Sequence, residues 1–205
     1  MEALWRALSA VSRVGIWLGA AMLFVAAMIV TGEIILRKVI SPWLGAHYNL
    51  TGSDEIASYL FAVGTSWSMA YVLVTKGHVR IDALYGLFGP RARAIMDLIA
   101  LLVLGLFVAV FLERSFALML SSFLSDVHSN TTLRIPLAIP QGGWVFGIAL
   151  FMLTIVVAFV RCLAALLQGD FRRVGEIAGA ASQDEEIEAE LEGLGIKKSA
   201  VAGEN

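Results

Sequence analysis

Between Glu55 and Lys76 the chain runs for twenty residues without a charged side chain. At about 1.5 Å rise per residue, one helix of that length crosses the roughly 30 Å hydrocarbon core of a bilayer. Acids stand at one end, Asp54-Glu55, and Lys76-Gly77-His78-Val79-Arg80 at the other. Ser53 suits an N-cap, with the acids in the first turn where the helix dipole favours them, and Gly77 suits a left-handed C-terminal cap. A segment so marked has a direction in the membrane.

Three further stretches follow the same logic. Val14 to Gly32 is uncharged, Leu98 to Leu112 is uncharged and resumes after Glu113-Arg114 as Ser115 to Ser125, and Ile135 to Val160 opens with Pro136 and Pro140, so that its helix is expected to begin near Pro140. The chain is 59% hydrophobic and only 16% charged, against about a quarter charged in soluble domains. These features predict an all-α integral membrane protein with four transmembrane helices, near 14–36, 54–76, 91–124 and 140–167. The first apolar stretch runs on into Glu33 to Lys38 without a small-residue cleavage site, so it reads as an uncleaved span. If the N-terminus is cytoplasmic, eleven bases fall inside and four outside, which predicts both termini in the cytoplasm.

Between spans 2 and 3, Ile81, Leu84, Tyr85 and Phe88 fall at i, i+3, i+4 and i+7. Such a stripe fits a short interfacial helix, or equally a loop against a neighbouring helix. Nine of the seventeen acids lie after residue 168, so 168–205 reads as an acidic, disordered cytoplasmic tail.

Candidate chemistry is sparse. The single cysteine, Cys162, falls in a span and reads as a small core residue, unable to form an intramolecular disulfide. His47, His78 and His128 all fall in expected loops, leaving no haem ligands between facing helices. No basic patch suited to nucleic acid is present. Glu33, Asp97 and Glu113 are the acids nearest the hydrocarbon layer, where an ionised group costs at least about 2.5 kcal/mol. Glu33 precedes Arg37 by four residues, as Arg93 precedes Asp97, so intrahelical ion pairs are expected, with a contact from Glu33 to a partner helix as the other reading. Glu113-Arg114 is expected at the outer interface. Gly15 and Gly19, and again Gly143 and Gly147, have the spacing that lets membrane helices approach closely, so spans 1 and 4 are expected to pack tightly against something.

Taken in order, Asp54-Glu55, Trp67, Lys76-Gly77-His78-Val79-Arg80-Ile81-Asp82, Asp97, and Thr131-Thr132-Leu133-Arg134-Ile135-Pro136 with Pro140 form a recognisable series. Over residues 10 to 165 the chain resembles the small, Q-type membrane subunit of tripartite ATP-independent periplasmic (TRAP) transporters. The resemblance implies an importer of three parts in the bacterial inner membrane: a periplasmic substrate-binding protein, a large membrane transport subunit that carries an organic acid with sodium, and the small subunit beside it. It places sodium and substrate in the large subunit, and no catalytic, cofactor or metal residue in this chain. An accessory scaffold is therefore expected, not an enzyme, with Glu33, Arg37, Glu55, Trp67, His78, Arg80 and Asp82 directed to the large subunit or to lipid headgroups. The rival reading is a small homodimeric proton-coupled exporter using Glu33. The transported acid is left open.

Overall fold

A computed structural model describes residues 2–44, 52–77 and 88–179. The regular elements among the described residues are helices, with one isolated bridge between His128 and Pro136 in the loop before the last span. Helix α1 spans Glu2–Ile35 and passes through a π-helical turn, Leu36–Ile40, into the short α2, Ser41–Leu44. Then follow α3 (Ser53–Val74), α4 (Pro90–Leu124), α5 (Ala138–Leu167) and α6 (Phe171–Ala178). The α1–α2 unit, α3, α4 and α5 are each long and apolar enough to cross a membrane, in agreement with the four expected spans. Helix α4, at 35 residues, is about 52 Å long and outreaches the hydrocarbon core.

The π turn has a local cause. Pro42 lacks an N–H, and its ring would press on the carbonyl four residues back in a regular helix. Widening the preceding turn by one residue relieves that pressure, and Ser41 caps the widened turn by donating both its N–H and its hydroxyl (2.9 Å) to the Leu36 carbonyl.

The spans form a row in the order α1, α3, α5, α4, with α6 lying against α4 and α5. Helix α3 lies between α1 and α5, and glycines seat both of these neighbours. On one side a Cβ at Gly15 would come within 2.8 Å of the Trp67 carbonyl oxygen, and one at Gly19 within 2.5 Å of the Gly64 oxygen. On the other side a Cβ at Gly147 would lie 2.7 Å from the Ser66 carbonyl carbon. Lipid gives helices no hydrophobic reason to associate, so this close backbone approach supplies the van der Waals contact that does. The expected tight packing of spans 1 and 4 is thus directed at one helix, span 2.

Small hydroxyls in these seams are satisfied within their own helices: Ser66 donates to the Val63 carbonyl (2.8 Å), Ser68 to Gly64 (2.9 Å) and Thr154 to Leu150 (2.8 Å). An unsatisfied hydroxyl in hydrocarbon would be unfavourable, and back-bonding removes the problem without a partner. The apolar core lies where α4 meets α5, with Leu101, Val108, Ile148, Phe151, Ile155 and Cys162 at its centre. The outward faces stay apolar, as at Trp17, Phe24 and Phe107, in keeping with a lipid surround.

Three spans end in one motif. At the end of α3, Lys76 takes the left-handed position (φ 58°), donating its N–H to Leu73, while Gly77 donates to Val72 (2.9 Å). Asp126 and Gly169 play the same part after α4 and α5, with Val127 donating to Ser122 and Asp170 to Ala165. The left-handed residue after α3 is therefore Lys76, one before the expected Gly77. At the start of α3 the expectation also shifts: Gly52, at φ 92°, is the cap, and Ser53 is already helical.

Contacts between α4 and α5 set the level of Glu113-Arg114 along the bundle. Phe111 meets Trp144 edge-on at 5.4 Å, a Cβ at Gly105 would lie 3.3 Å from Ile155, and one at Gly142 would lie 3.7 Å from the Met119 sulfur. Antiparallel pairing on those contacts sets Glu113 and Arg114 level with Gly147, which abuts Ser66. Ser66 is near the middle of the uncharged run of α3, about 15 Å along the axis from either charged end.

The residues after Leu167 are not structureless throughout. Asp170 caps α6 by accepting from the Arg173 N–H (3.0 Å), and Val174 and Ala178 are buried against α4 and α5. Residues 81–87 of the expected interfacial stripe, and 180–205 of the tail, lie outside the described residues.

Candidate functional site

The polar side chains of the membrane domain gather where α3 begins. Gly52 turns the chain into α3 with a left-handed backbone and leaves room for Leu133, whose Cγ would lie 2.6 Å from a Cβ there. Ser53, one residue on, donates its hydroxyl to the Glu33 carboxylate near the end of α1. Both are buried. The expected Glu33–Arg37 ion pair is not formed among the described residues: Glu33 faces α3, and Arg37 is exposed in the π turn.

Two residues further along α3, the buried Glu55 accepts from the Tyr59 hydroxyl (2.6 Å) and from the Thr131 hydroxyl. Thr131 belongs to the loop joining α4 to α5, and that loop is folded on itself. Ser129 donates its N–H to the Ile135 carbonyl (2.9 Å) and Leu137 donates to Val127 (3.0 Å), while Arg134 turns the tip at φ 45°. Ser129 and Thr131 also share a hydrogen bond between their hydroxyls (2.8 Å). Glu55 therefore holds a closed loop over the start of α3, using neutral hydroxyl donors. Carboxylates held in this way by hydroxyl donors fix positions.

Trp67 lies deeper. Its indole N–H donates to the Gly143 carbonyl (2.9 Å) and its ring meets Phe146 at 5.5 Å, so it joins α3 to α5 within the chain. A carbonyl near a helix N-terminus already serves its own turn, and a glycine there lets the indole approach. At the other end of the bundle along the helix axes, Glu2 pairs with Arg161 (3.0 Å) and Arg173 (3.3 Å), Arg161 lies over the Trp5 ring at 4.6 Å, and Arg91 over Phe171 at 5.6 Å. These contacts fasten the start of α1 and all of α6 to the bundle. Sequence reasoning missed them because they join residues 159 and 171 positions apart.

Of the seven residues expected to face a partner or headgroups, Glu33, Glu55 and Trp67 are engaged inside the chain and Arg37 is exposed. His78, Arg80 and Asp82 lie outside the described residues. Asp97, in the first third of α4, is 2% exposed.

A family model described as the DctQ component of tripartite ATP-independent periplasmic transporters matches residues 26–165. The chain belongs to this DctQ family. The match runs from mid-α1 to the end of α5 and so includes the Glu33–Ser53, Glu55–Thr131 and Trp67–Gly143 contacts. As a DctQ protein the chain is a component of a tripartite transporter, and the family is not one of enzymes. The TRAP resemblance read from Asp54-Glu55 to Pro140 is thereby confirmed. Among curated proteins and solved structures, no match was found.

Proposed function

We propose that this DctQ chain is the scaffold subunit of a TRAP-type importer in the bacterial inner membrane. It binds a large sodium-coupled transport subunit, widens the part of the complex that stays still, and works with a periplasmic protein that delivers an organic acid. Both termini lie in the cytoplasm, so the Glu55–Thr131 clamp faces the periplasm, where the binding protein docks.

The observation that carries this reading is the seating of α1 and α5 on opposite sides of α3 by Gly15, Gly19 and Gly147, with Glu33, Glu55 and Trp67 each tied inside the chain. Backbone-to-backbone packing of that kind has one arrangement and resists sliding, which suits a fixed frame better than a moving carrier. A stand-alone exporter working through Glu33 has less support, because that carboxylate is closed between α1 and α3 by Ser53.

Reconstitution tests the proposal. Proteoliposomes holding the large subunit, with its binding protein and a sodium gradient, should take up substrate only when this chain is co-reconstituted. Full uptake in its absence would reject the scaffold role.

A further inference from the structure

Arg161 and Arg173 converge on one carboxylate oxygen, Oε1 of Glu2, at 3.0 and 3.3 Å. A guanidinium carries five N–H donors, and each of these two reaches Glu2 through a single nitrogen, Nη2. Their remaining side-chain donors have no acceptor among the described residues. On one side of the Glu2 carboxylate lies a cavity of about 320 Å³, bordered by Arg161, Ala164, Ala165 and Gln168 of α5 and by Arg173 and Ile177 of α6. The four residues of α5 fall at i, i+3, i+4 and i+7, so they form one stripe, and its two alanines leave the floor open. A second cavity, beside Trp5 and Val74, is also lined by Glu176. The first cavity sets two arginines against one glutamate and is short of one negative charge; in the second, two carboxylates balance the same arginines.

We propose that the first cavity binds a phosphate group, carried there by the headgroup of an anionic phospholipid. One phosphodiester charge balances the arginine in excess, and guanidinium forks hold phosphate oxygens through pairs of N–H bonds. Gln168, at the rim, adds an amide donor. The level of the cavity favours a lipid over a free ion. The uncharged run 135–160 ends at Arg161, and the run 56–75 of α3 ends just past Val74, which lines the neighbouring cavity with Arg161. Two apolar runs therefore stop at this cluster, and the stretch from Arg161 to Gln168 rises about 10 Å beyond them. Headgroups occupy about 5–7 Å on each side of the hydrocarbon core, so their phosphates lie at the same level. A basic pocket between helices at that level is the usual form of a lipid-headgroup site. Glu2 both aligns the arginines and competes for them with the ligand.

Native mass spectrometry of the full, delipidated chain in mild detergent tests this, with phosphatidylglycerol, phosphatidylcholine and inorganic phosphate added in turn. Phosphatidylglycerol should be retained about fivefold better than phosphatidylcholine, and inorganic phosphate at the same concentration should not displace it. Arg173 is half-exposed and lies outside the four spans, so Arg173→Gln should fold as the wild type does and retain the two lipids equally. Glu2→Gln keeps an oxygen for both arginines and removes the competing charge, so it should raise phosphatidylglycerol retention severalfold. Equal retention of the two lipids by the wild type, or an unchanged preference in Arg173→Gln, would overturn the proposal. Displacement of the lipid by inorganic phosphate would overturn it in favour of a soluble anion. Unchanged or lower retention in Glu2→Gln would show that the cluster only fastens α1 and α6 to the bundle.

Discussion

The Thr131 hydroxyl donates to the Glu55 carboxylate across 76 residues of sequence, and so ties the loop between the last two spans to the start of α3. Glu55 receives a second hydrogen bond from Tyr59 on its own helix (2.6 Å), which holds the carboxylate in the position the loop needs. One acid thus connects α3 to the loop that joins α4 to α5.

Removing that hydroxyl should loosen the loop. Thr131→Val keeps the shape and deletes the donor, and a hydrogen bond to a charged group is a comparatively strong one. Thermal unfolding of the detergent-solubilised protein should shift down by about 2–4 °C, with Thr131→Ser near the wild type. An unchanged midpoint for the valine variant would show that the loop is held by its own backbone bonds alone.

Gly52 has two reasons to be glycine, and they can be separated. A residue with a Cβ at φ 92° incurs about 1–2 kcal/mol of backbone strain, and the new atom would also meet Leu133. Gly52→Ala should therefore destabilise by at least that amount. Adding Leu133→Ala should recover the steric part and leave the backbone part. Equal stability of Gly52→Ala and the wild type would contradict the left-handed cap.

Glycines in the seams and glycines on the surface should behave oppositely. Gly147→Val drives a side chain into Ser66 and should cost about 1–3 kcal/mol or prevent folding, with Gly19→Val similar against Gly64. Gly32, with nothing within 4 Å of a Cβ, should accept Ala with a small gain, about 0.5–1 kcal/mol. Unfolding in mixed micelles with increasing denaturing detergent provides the comparison.

Trp67 tests the α3–α5 seam from within. Trp67→Phe removes the N–H that reaches Gly143 but keeps an aromatic ring for Phe146. Interhelical hydrogen bonds in membranes are worth about 0.6 kcal/mol on average, so the loss should be small and the helices should stay in register. Trp67→Ala also removes the packed ring and should be several times more damaging.

Much of this architecture was legible because lipid imposes simple rules on sequence. Twenty uncharged residues between Glu55 and Lys76 had few structures open to them, and the Gly15/Gly19 and Gly143/Gly147 pairs announced close contacts. What the sequence did not show was the partner in each contact. Ser53 looks like a cap by position, yet the chain reaches α3 through a left-handed Gly52, which frees the serine for Glu33. Glu33 looks paired with Arg37 by spacing, yet Pro42 forces a π turn just ahead of it and Glu33 is drawn to α3. Helix α6 escaped notice because only eight residues carry it, although Asp170 followed by Phe171, Val174 and Ala178 is a cap with an apolar stripe. The level of Glu113-Arg114 against the other helices follows only from how α4 registers on α5, which no local pattern encodes.

The central claim is that this row of helices is one part of a larger membrane complex. It is tested most directly by purifying the tagged chain in mild detergent from its native membrane and identifying what comes with it by mass. The account predicts stoichiometric recovery of a large, many-span transport subunit. Recovery of the chain alone, as monomer or homodimer, under conditions that keep known membrane complexes intact, would contradict it.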